Sequence, residues 1–439
     1  ALRTVEIRKK LFGDANSDYA FALTSLGRIY TSKLEFDKAE AMILEAKGTR
    51  ARVYGTGNAD ELQSLMNLAV LYNSKDDSIN AVKYWNLCYK LANSLRDKEP
   101  VLFGDVLFNL AYFYLDAQNL AQAEFFFTKA KIQIESIFGK SHPQYAEVLD
   151  GLTALHLEKK DFELASSLGR LSFQIHKTQI LSAQNYMSEQ ELGFYLKKFL
   201  YTLNLDYQLA EKYPPYLDIA FNNTLLYKSF LLEKTKQLSH VSKDDSTGHL
   251  LLKDWRSYKR ALGKELEKPV QNRGIVKKLV DDINELEKKL ASKKIQTASS
   301  QHEVDWKEVW KNLSPKSAVI ECISYENYFD HSSESKNYAA LVLSADTPAI
   351  HFVPLCTENS LKKLLSNTAV RKADYVNQLY SLPERGARAL MDSKETLYNL
   401  ICSPLESIIA GHQTIFYSPV GYLHRINLDA IPIQNSQTM

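Results

Sequence analysis

Four cysteines and a few histidines are the side chains of this sequence that could act as nucleophiles or bases. Cys88, Cys322, Cys356 and Cys402 are widely spaced, and a cysteine is nucleophilic where an imidazole or a positive charge favours its thiolate. No His-x-Cys pattern, Gly-rich phosphate loop, His-Glu-x-x-His helix or cluster of metal ligands occurs in the sequence. The sequence therefore predicts no metal site, no cofactor and no complete catalytic site within this chain.

These residues are better explained as structural ones. Cys322 lies inside an apolar run and Cys402 lies on a predicted helix, so we expect both to be small core residues. Cys356 follows a predicted strand and is expected to be partly exposed. His424 also follows a strand, and His142 precedes a proline that fits the start of a helix. We interpret neither histidine as a base or a ligand.

An internal repeat of 42 residues defines the elements that carry these side chains. Three of its columns contain Leu26, Leu68, Leu110 and Leu152; Tyr30, Tyr72, Tyr114 and His156; and Ala39, Ala81, Ala123 and Ala165. A fixed period with small residues at matched columns is typical of a solenoid of helix pairs. Each pair buries its apolar face only against its neighbours.

The columns resemble the tetratricopeptide repeat (TPR), in a long-helix form similar to the repeats of kinesin light chains. The family's Leu followed by Gly or Ala, then Tyr, then Ala on the second helix is matched by residues 26–30 with Ala39 and by residues 67–72 with Ala81. The period exceeds the family's usual length of about 34 residues, so each helix should run about one turn longer.

Glycine recurs after an aromatic residue at the turn between repeats. The turns are Phe12-Gly13, Tyr54-Gly55 and Phe138-Gly139, with Asp97 in place of glycine in the third unit. Glycine suits a helix C-terminus in the left-handed conformation. Residues 1–12 then match only the second helix of a preceding unit, so we expect the chain to be a piece of a longer protein.

Composition excludes some functions. Of 439 residues, 54 are basic and 52 acidic, a net charge of +2, which does not favour direct binding of nucleic acid or of an acidic membrane. No apolar run is long enough to cross a bilayer. Four widely spaced cysteines without a paired pattern in the sequence favour a reducing compartment. We therefore expect a cytoplasmic protein without membrane partners.

The columns blur beyond residue 175, and residues 176–300 form a degenerate TPR or helical-hairpin region. Two antiparallel helices are predicted at 249–268 and 272–294. The second carries one apolar stripe, formed by Ile275, Leu279, Ile283, Leu286 and Leu290. The pair either packs on its neighbours as a hairpin or presents a free coiled-coil surface to a partner.

The character of the chain changes near residue 305. Short β-rich runs predict strands at 317–325, 338–343, 349–355 and 414–419, with helices near 358–381 and 385–410 between the last two strands. This order indicates an α/β domain over 305–439. The predicted fold class is thus mainly α, with a TPR solenoid over 1–175 and a partial α/β domain at the C-terminal end.

The segment 315–433 resembles the opening of a CHAT domain, a caspase-like module that occurs together with TPRs. Its hairpin, the helix over 397–405 and the strand-loop from Tyr417 to Ile431 carry the resemblance. The strand-loop is similar to the family's Pro-x-Gly-x-Leu-His-x-x-Pro-Phe-x-x-Leu pattern, with Asn427-Leu428 where Pro-Phe is usual.

This resemblance implies a cysteine peptidase. In the family the catalytic His lies in a His-Gly motif and the Cys in a later Ser-Ala-Cys motif, and neither motif occurs in this sequence. His424 falls in a structural strand-loop of the family. We therefore expect no catalytic residue in this chain. We also expect the missing C-terminal part of the peptidase domain to be a partner of this chain.

The repeats also predict a binding groove, because first helices line the concave side of stacked pairs. Positions outside the packing columns are Thr24, Arg28, Thr31, Met66, Asn67, Asn73, Phe108, Asn109, Tyr112 and Asp150. Asn67 and Asn109 share one column of the repeat. In similar repeats, Asn side chains at such positions hold the backbone of a bound peptide. The groove binds a protein or peptide, contacts the chain's own C-terminal domain, or is only solvated.

Three functions follow from these resemblances. The first is a TPR-regulated caspase-like cysteine peptidase, of which this chain is the partner-binding solenoid and the pre-catalytic part of the peptidase domain. The second is a non-enzymatic TPR scaffold for protein–protein interaction. The third is docking on a ribonucleoprotein effector, as in guide-RNA-activated members of the family, in which the near-neutral charge argues that direct RNA contact is not dominant.

Overall fold

The computed structural model describes residues 1–239, 246–268, 270–294, 305–326, 336–365, 396–428, 431–433 and 437–438. These residues form two compact units, Ala1–Lys159 and Lys160–Met439. The first is helical throughout its regular elements, and the second combines helices with a small mixed sheet.

The first unit is a stack of alternating first and second helices. Its helices are α1 (Leu2–Phe12), α2 (Ser17–Ser32), α3 (Phe36–Tyr54), α4 (Ala59–Ser74), α5 (Ser78–Leu95), α6 (Pro100–Asp116), α7 (Leu120–Phe138) and α8 (Pro143–Glu158). Helices α2, α4 and α6 each pack on the helix that follows, and each second helix packs on the next first helix. The predicted helix pairs are confirmed, with α1 as a second helix against α2.

Side-chain caps determine where these helices begin. The side chains of Asn16 and Asn58 accept N–H groups from the first turns of α2 and α4, and those of Asp77 and Asn119 do the same for α5 and α7. A proline occupies the first turn of α6 and of α8, where its missing N–H is not needed. Each polar cap is worth about 1 kcal/mol.

The turn inside each pair ends its first helix in the left-handed conformation at a residue other than glycine. Leu34, Asp76 and Gln118, which are 42 residues apart, have φ of 60°, 58° and 57°. The closing N–H···O=C bonds run from Glu35 to Tyr30 (2.9 Å), from Asp77 to Tyr72 (2.9 Å) and from Asn119 to Tyr114 (2.8 Å). This is the Schellman arrangement, so the tyrosine column supplies the carbonyl that closes each turn.

The turns between pairs depend on glycine for a different reason. Gly13, Gly55 and Gly139 have φ of 78°, 77° and 78°, with ψ of -178°, -161° and 174°. The positive φ agrees with the predicted role of these residues. Their ψ is extended rather than left-handed helical, and that region is essentially confined to glycine.

Small residues lie where the helices of a pair approach each other. Ala39, Ala81 and Ala123 are at most 1% exposed. At Gly27 of α2 a Cβ atom would lie 2.7 Å from Cγ1 of Ile43 in α3. Any larger residue in these columns would push the two helices apart, because packed cores have no free volume to absorb an added carbon.

Aromatic stacking adds a second repeated contact inside the pairs. The ring of Tyr72 stacks on Tyr84 at 5.2 Å between centroids, and Tyr114 stacks on Phe126 at 5.5 Å. The Tyr72 hydroxyl also donates to Glu40 Oε1 at 2.7 Å. Tyr72 and Tyr114 thus join their own second helices by ring contact, in addition to closing the turn between the two helices.

The helices of the second unit are irregular in length. They are α9 (Phe162–Ala183), α10 (Glu189–Leu196), α11 (Leu200–Lys212), α12 (Leu217–Ser239), α13 (Ser246–Glu267), α14 (Val276–Lys294) and α15 (Trp306–Lys311). Helix α11 ends just before the Pro214-Pro215 pair, as predicted for a proline break. Three-residue 3-10 turns separate α10 from α11 and α11 from α12.

Polar contacts, some exposed and some buried, join α9, α11 and α12. Arg170 of α9 binds Asp218 of α12 through two hydrogen bonds of 2.8 and 2.7 Å. Inside the same cluster Asp206 accepts hydrogen bonds from the Tyr216 hydroxyl (2.7 Å) and the Asn223 amide (2.5 Å). These donors compensate the desolvation of the Asp206 carboxyl group, which is 2% exposed.

The helices α13 and α14 form a hairpin that docks on α10. The Glu287 carboxylate of α14 is fully buried and accepts hydrogen bonds from the Trp255 indole N–H (3.0 Å) and the Glu189 backbone N–H (2.7 Å). Lys259 pairs with Glu189 at 2.7 Å. The hairpin that packs on its neighbours is therefore confirmed, although Ile275 of the predicted stripe is 51% exposed because it precedes the helix.

A four-stranded mixed sheet follows in the order β3-β2-β1-β4. Its strands are β1 (Ser317–Tyr325), β2 (Asn337–Ser344), β3 (Thr347–Thr357) and β4 (Thr414–Ser418). The first three strands are antiparallel neighbours, and β4 pairs with β1 in parallel. A two-residue pair, Pro432–Ile433 with Gln437–Thr438, lies beyond it. The four predicted strands are confirmed.

Helices cover both faces of this sheet. One face, with Ile320, Cys322 and Val342, packs on α16 (Glu358–Leu365) and on a π-helical turn at Tyr398–Cys402. On the same side are the short helix Glu406–Ile409 and the 3-10 turn Gly421–Arg425. The other face packs on α11 and α12, so β1 is buried almost throughout.

A lysine connects α12 to the centre of the sheet. The Lys228 ammonium donates to Glu321 Oε2 of β1 at 2.7 Å, and to the backbone and side-chain oxygens of Ser418 of β4 at 3.0 and 2.9 Å. All three N–H groups of this ammonium therefore have acceptors. Nearby, the Gln208 amide donates to the Glu326 carbonyl at 3.1 Å.

The predicted fold class is confirmed as mainly α, with a helical solenoid and a small mixed sheet near the C-terminal end. The helices predicted near 358–381 and 385–410 are described at Glu358–Leu365 and from residue 396 onward, and the rest lies outside the described residues. The predicted domain boundaries at 175, 300 and 305 stay predictions.

The substitution Gly151→Ala should destabilise the first unit by about 1–3 kcal/mol, although alanine favours helices by about 1 kcal/mol. The new Cβ would lie 2.2 Å from Cε1 and 2.6 Å from Cζ of the Phe127 ring, which cannot flex away. The midpoint of urea unfolding, followed by circular dichroism, measures the loss. The matched control is Gly48→Ala, whose Cβ meets nothing closer than 3.9 Å; equal midpoints for the two variants would contradict the packing argument.

Candidate partner-binding groove

The first helices of the stack present one repeated surface. Consecutive first helices α2, α4, α6 and α8 contact one another. In α2, α4 and α6, three positions spaced by four and three residues escape burial and therefore share one face of each helix. This first-helix stripe consists of Phe21, Ser25 and Arg28; Gln63, Asn67 and Val70; and Asp105, Asn109 and Tyr112.

Two amides occupy equivalent places at the middle of the stripe. Asn67 Nδ2 donates to the Gln63 carbonyl at 2.7 Å, and Asn109 Nδ2 donates to the Asp105 carbonyl at 2.7 Å. Both side chains are half-buried. One hydrogen bond to the preceding turn fixes the plane of each amide, and the remaining donor and acceptor atoms can bind the backbone of an extended segment.

An aromatic cluster supports the stripe in the third unit. The Tyr112 ring lies edge-on to Phe108 at 5.0 Å and to Phe127 at 5.2 Å between centroids. Phe108 and Phe127 are 6.3 Å apart. Since Phe127 is fully buried, it holds the two half-buried rings in one arrangement and supplies a firm apolar surface.

Charge on the stripe is carried by Arg28 and Asp105. Arg28 is exposed, whereas Asp105 is half-buried and accepts a hydrogen bond of 3.2 Å from the Gln144 amide of α8. Burial raises the pKa of the Asp105 carboxyl group above its usual value. The ionised carboxylate is thus less well solvated than a surface one and would gain from a cation placed beside it.

The structure places the predicted groove residues at different depths. Arg28, Asn67, Asn109 and Tyr112 lie on the first-helix stripe, and Phe108, Thr31 and Asn73 are half-buried beside it. Three others, Thr24, Met66 and Asp150, are 8%, 8% and 5% exposed. The Thr24 hydroxyl donates to the Ala20 carbonyl of its own helix at 3.0 Å. These three offer little surface, and the role of all ten residues in partner binding stays a prediction.

The sequence did not predict five residues of the stripe. These are Phe21, Ser25, Gln63, Val70 and Asp105, which lie within two turns of the predicted residues on the same helix faces. Phe21 and Val70 are apolar and exposed by 61% and 45%. Combining the 42-residue columns with the spacing of four and three residues inside each helix would have found them.

The burial of Cys322 and Cys402 and the partial exposure of Cys356 agree with the sequence predictions. Cys88, Cys322 and Cys402 are at most 1% exposed, and burial raises the pKa of their thiols to about 12, 11 and 12. Cys356 is partly exposed. The His142 ring caps α8 by accepting the Gln144 N–H at 3.2 Å. Among the described residues, no three acidic, His or Cys side chains are grouped as metal ligands.

Comparison with known proteins agrees with the geometry of the stack. Residues 103–178 match the family model of the tetratricopeptide repeat. The chain carries tetratricopeptide repeats. Together with the stacked pairs described above, this makes it a TPR protein suited to protein–protein interaction. No curated protein matches the chain.

Two solved structures are similar to parts of the TPR chain. One is the crystal structure of BtubC (BKLC) from P. vanneervenii, at 17% identity and a TM-score of 0.40, over 56% of this chain and 92% of that chain. The other contains the nearly identical TPR-like repeats of a chain assigned as a kinesin light chain from P. anserina, at 16% identity and a TM-score of 0.35, over 50% of this chain and 95% of that chain. Within the described residues, no helix is long and apolar enough to span a bilayer.

Iodoacetamide should label the native protein at Cys356 and leave Cys88, Cys322 and Cys402 unmodified. The raised pKa of the buried thiols leaves almost no thiolate at neutral pH, and their burial blocks the reagent. Peptide mass spectrometry before and after unfolding in guanidinium measures each site. The variant Cys356→Ser should lose the native label; rapid native labelling of Cys322 or Cys402 would contradict the burial described above.

Proposed function

We propose that the first-helix stripe is a binding site for an extended segment of another protein. The observation that carries the proposal is the equivalent position of Asn67 and Asn109, whose amides have the same hydrogen bond in successive repeats. Two polar groups at one repeat spacing suit the regular donors and acceptors of a peptide backbone. The exposed Phe21 and Val70 and the Tyr112 cluster supply apolar contact along the same line.

The double substitution Asn67→Ala and Asn109→Ala should weaken such a complex about tenfold or more, because each lost hydrogen bond costs about 0.5–1.5 kcal/mol. The ligand is selected by displaying an unbiased library of peptides against the wild-type chain, and its affinity is measured by fluorescence anisotropy. Circular dichroism checks that the variant keeps its fold.

The control substitution is Asn86→Ala, which removes an exposed amide from the second helix α5 and should leave the affinity unchanged. Equal affinity of the double variant and the control variant would show that the selected peptide binds elsewhere. Failure of the library to give any ligand would count against the proposed function itself.

We propose further that the unit with the mixed sheet belongs to a caspase-like cysteine peptidase whose access or activity is controlled by partner binding to the TPRs. Support comes from the resemblance of residues 315–433 to a CHAT domain and from the sheet with helices on both faces. The Tyr338 hydroxyl accepts the Tyr422 N–H at 3.1 Å and would overlap any Cβ at Gly421. This contact anchors the strand-loop that carries much of the resemblance.

A non-enzymatic scaffold is the second candidate, because the repeated amides of Asn67 and Asn109 would suffice for its binding role. The burial of Cys88, Cys322 and Cys402 fits either function. The protein isolated from its natural source, treated with an acyloxymethyl ketone that traps caspase-like thiols, distinguishes the two functions. A peptidase should carry the probe on a cysteine other than these three, in this or an associated polypeptide. If no cysteine is labelled under conditions in which the TPRs bind their selected peptide, the result would contradict the peptidase and support the scaffold.

A further inference from the structure

The two charged residues of the first-helix stripe lie at its opposite ends. Arg28 lies on α2 and Asp105 on α6, while Gln63, Asn67 and Val70 on the intervening α4 are uncharged. Among the described residues, neither Arg28 nor Asp105 forms an ion pair with another side chain. In contrast, Lys75 of the same unit is paired with Glu40 at 3.4 Å. Two opposite charges that form no ion pair among the described residues therefore flank a neutral polar centre.

The two charged groups differ in what they can gain from a ligand. Asp105 is held by the Gln144 amide and is partly desolvated within the folded chain. A cationic side chain that docks there forms a charge-assisted hydrogen bond, and the protein has already desolvated its own carboxylate. Arg28 is exposed, so a carboxylate beside it is screened more strongly by salt and contributes mainly to the orientation of the ligand.

The spacing of the helices sets the spacing of the complementary charges. Packed helices lie about 8–10 Å apart, so two helix steps from α2 to α6 span about 16–20 Å. An extended chain advances about 3.3 Å per residue and covers this span in about five or six residues. A segment of that length passes both Asn67 and Asn109, whose amides can hold its backbone between the charged ends.

We propose that the first-helix stripe binds an extended protein segment with an acidic and a basic side chain about five or six residues apart, the acidic one at Arg28 and the basic one at Asp105. This proposal rests on the proposed peptide-binding function of the stripe. The order of the charges gives the bound segment one direction, which backbone hydrogen bonds alone would not specify.

Two fluorescein-labelled peptides of about twelve residues test the proposal, with a central spacing of about five residues between two aspartates and two lysines. One peptide has the aspartates first, and the other has the lysines first. Each peptide carries a photoreactive benzophenone at its C-terminus, fluorescence anisotropy confirms that it binds, and peptide mass spectrometry identifies the cross-linked helix. On the wild-type chain the peptide with the aspartates first should cross-link near Asp105 on α6, and the peptide with the lysines first near Arg28 on α2. The double charge reversal Arg28→Glu with Asp105→Lys should exchange the two cross-linked helices, and high salt should weaken binding.

The control reversal Arg3→Glu with Glu6→Lys leaves the net charge unchanged on exposed positions of α1 and should keep the wild-type cross-links. If both peptides cross-link at the same helix, or each at both helices, and the Asn67→Ala, Asn109→Ala variant weakens both, the charge order is wrong while the proposed function stands. If neither peptide binds but library peptides do, the charge order is equally wrong. If the library also gives no ligand, the proposed function fails as well.

Discussion

The close approach of paired helices is the constraint on which the TPR unit depends. At Gly27 the contact leaves room for a hydrogen atom alone, and at Ala39 a methyl group is fully buried. A solenoid has no central core, so each contact of this kind determines the position of the next helix pair and small errors would accumulate. The regular line formed by Asn67 and Asn109 is therefore positioned by residues that lie between the paired helices and outside the first-helix stripe. Specific recognition along such a surface depends on this indirect positioning as much as on the exposed side chains.

A different constraint governs the second unit, where the central strand β1 has helices on both faces. A lysine in such a layer is tolerated only if each of its donors is satisfied, and Lys228 meets that condition through Glu321 and Ser418. Since this ion pair is partly buried, it makes the register of α12 on the sheet specific even if its net energy is small. The helices α11 and α12 thus belong structurally to the sheet that follows them, although their sequence looks like a continuation of the helical region.

Periodicity revealed much of the fold, because a 42-residue column records a contact that recurs in each pair. The same columns could not show how deeply each side chain is buried. Thr24 is polar yet buried, since its own helix supplies an acceptor at the Ala20 carbonyl. Asp105 is partly buried and accepts a hydrogen bond from Gln144 of α8, which lies in the next unit of the repeat. Turn chemistry was also hidden, because Leu34 and Gln118 adopt the left-handed conformation that sequence rules reserve for glycine. Their Schellman hydrogen bonds and the stacking behind them offset a local cost of about 1–2 kcal/mol.

The rigidity of the first-helix stripe bears on how the TPRs would choose a partner. Its amides are oriented by their own helices and its aromatic rings by the buried Phe127, so little side-chain freedom remains to be lost on binding. Backbone recognition by amides is indifferent to sequence, and a surface built only from such groups would accept many extended chains. Discrimination must then come from side chains that differ between repeats. Arg28 and Asp105 break the repetition of the stripe, and two opposite charges at its ends are the simplest means by which a periodic surface can distinguish the direction of the chain it holds.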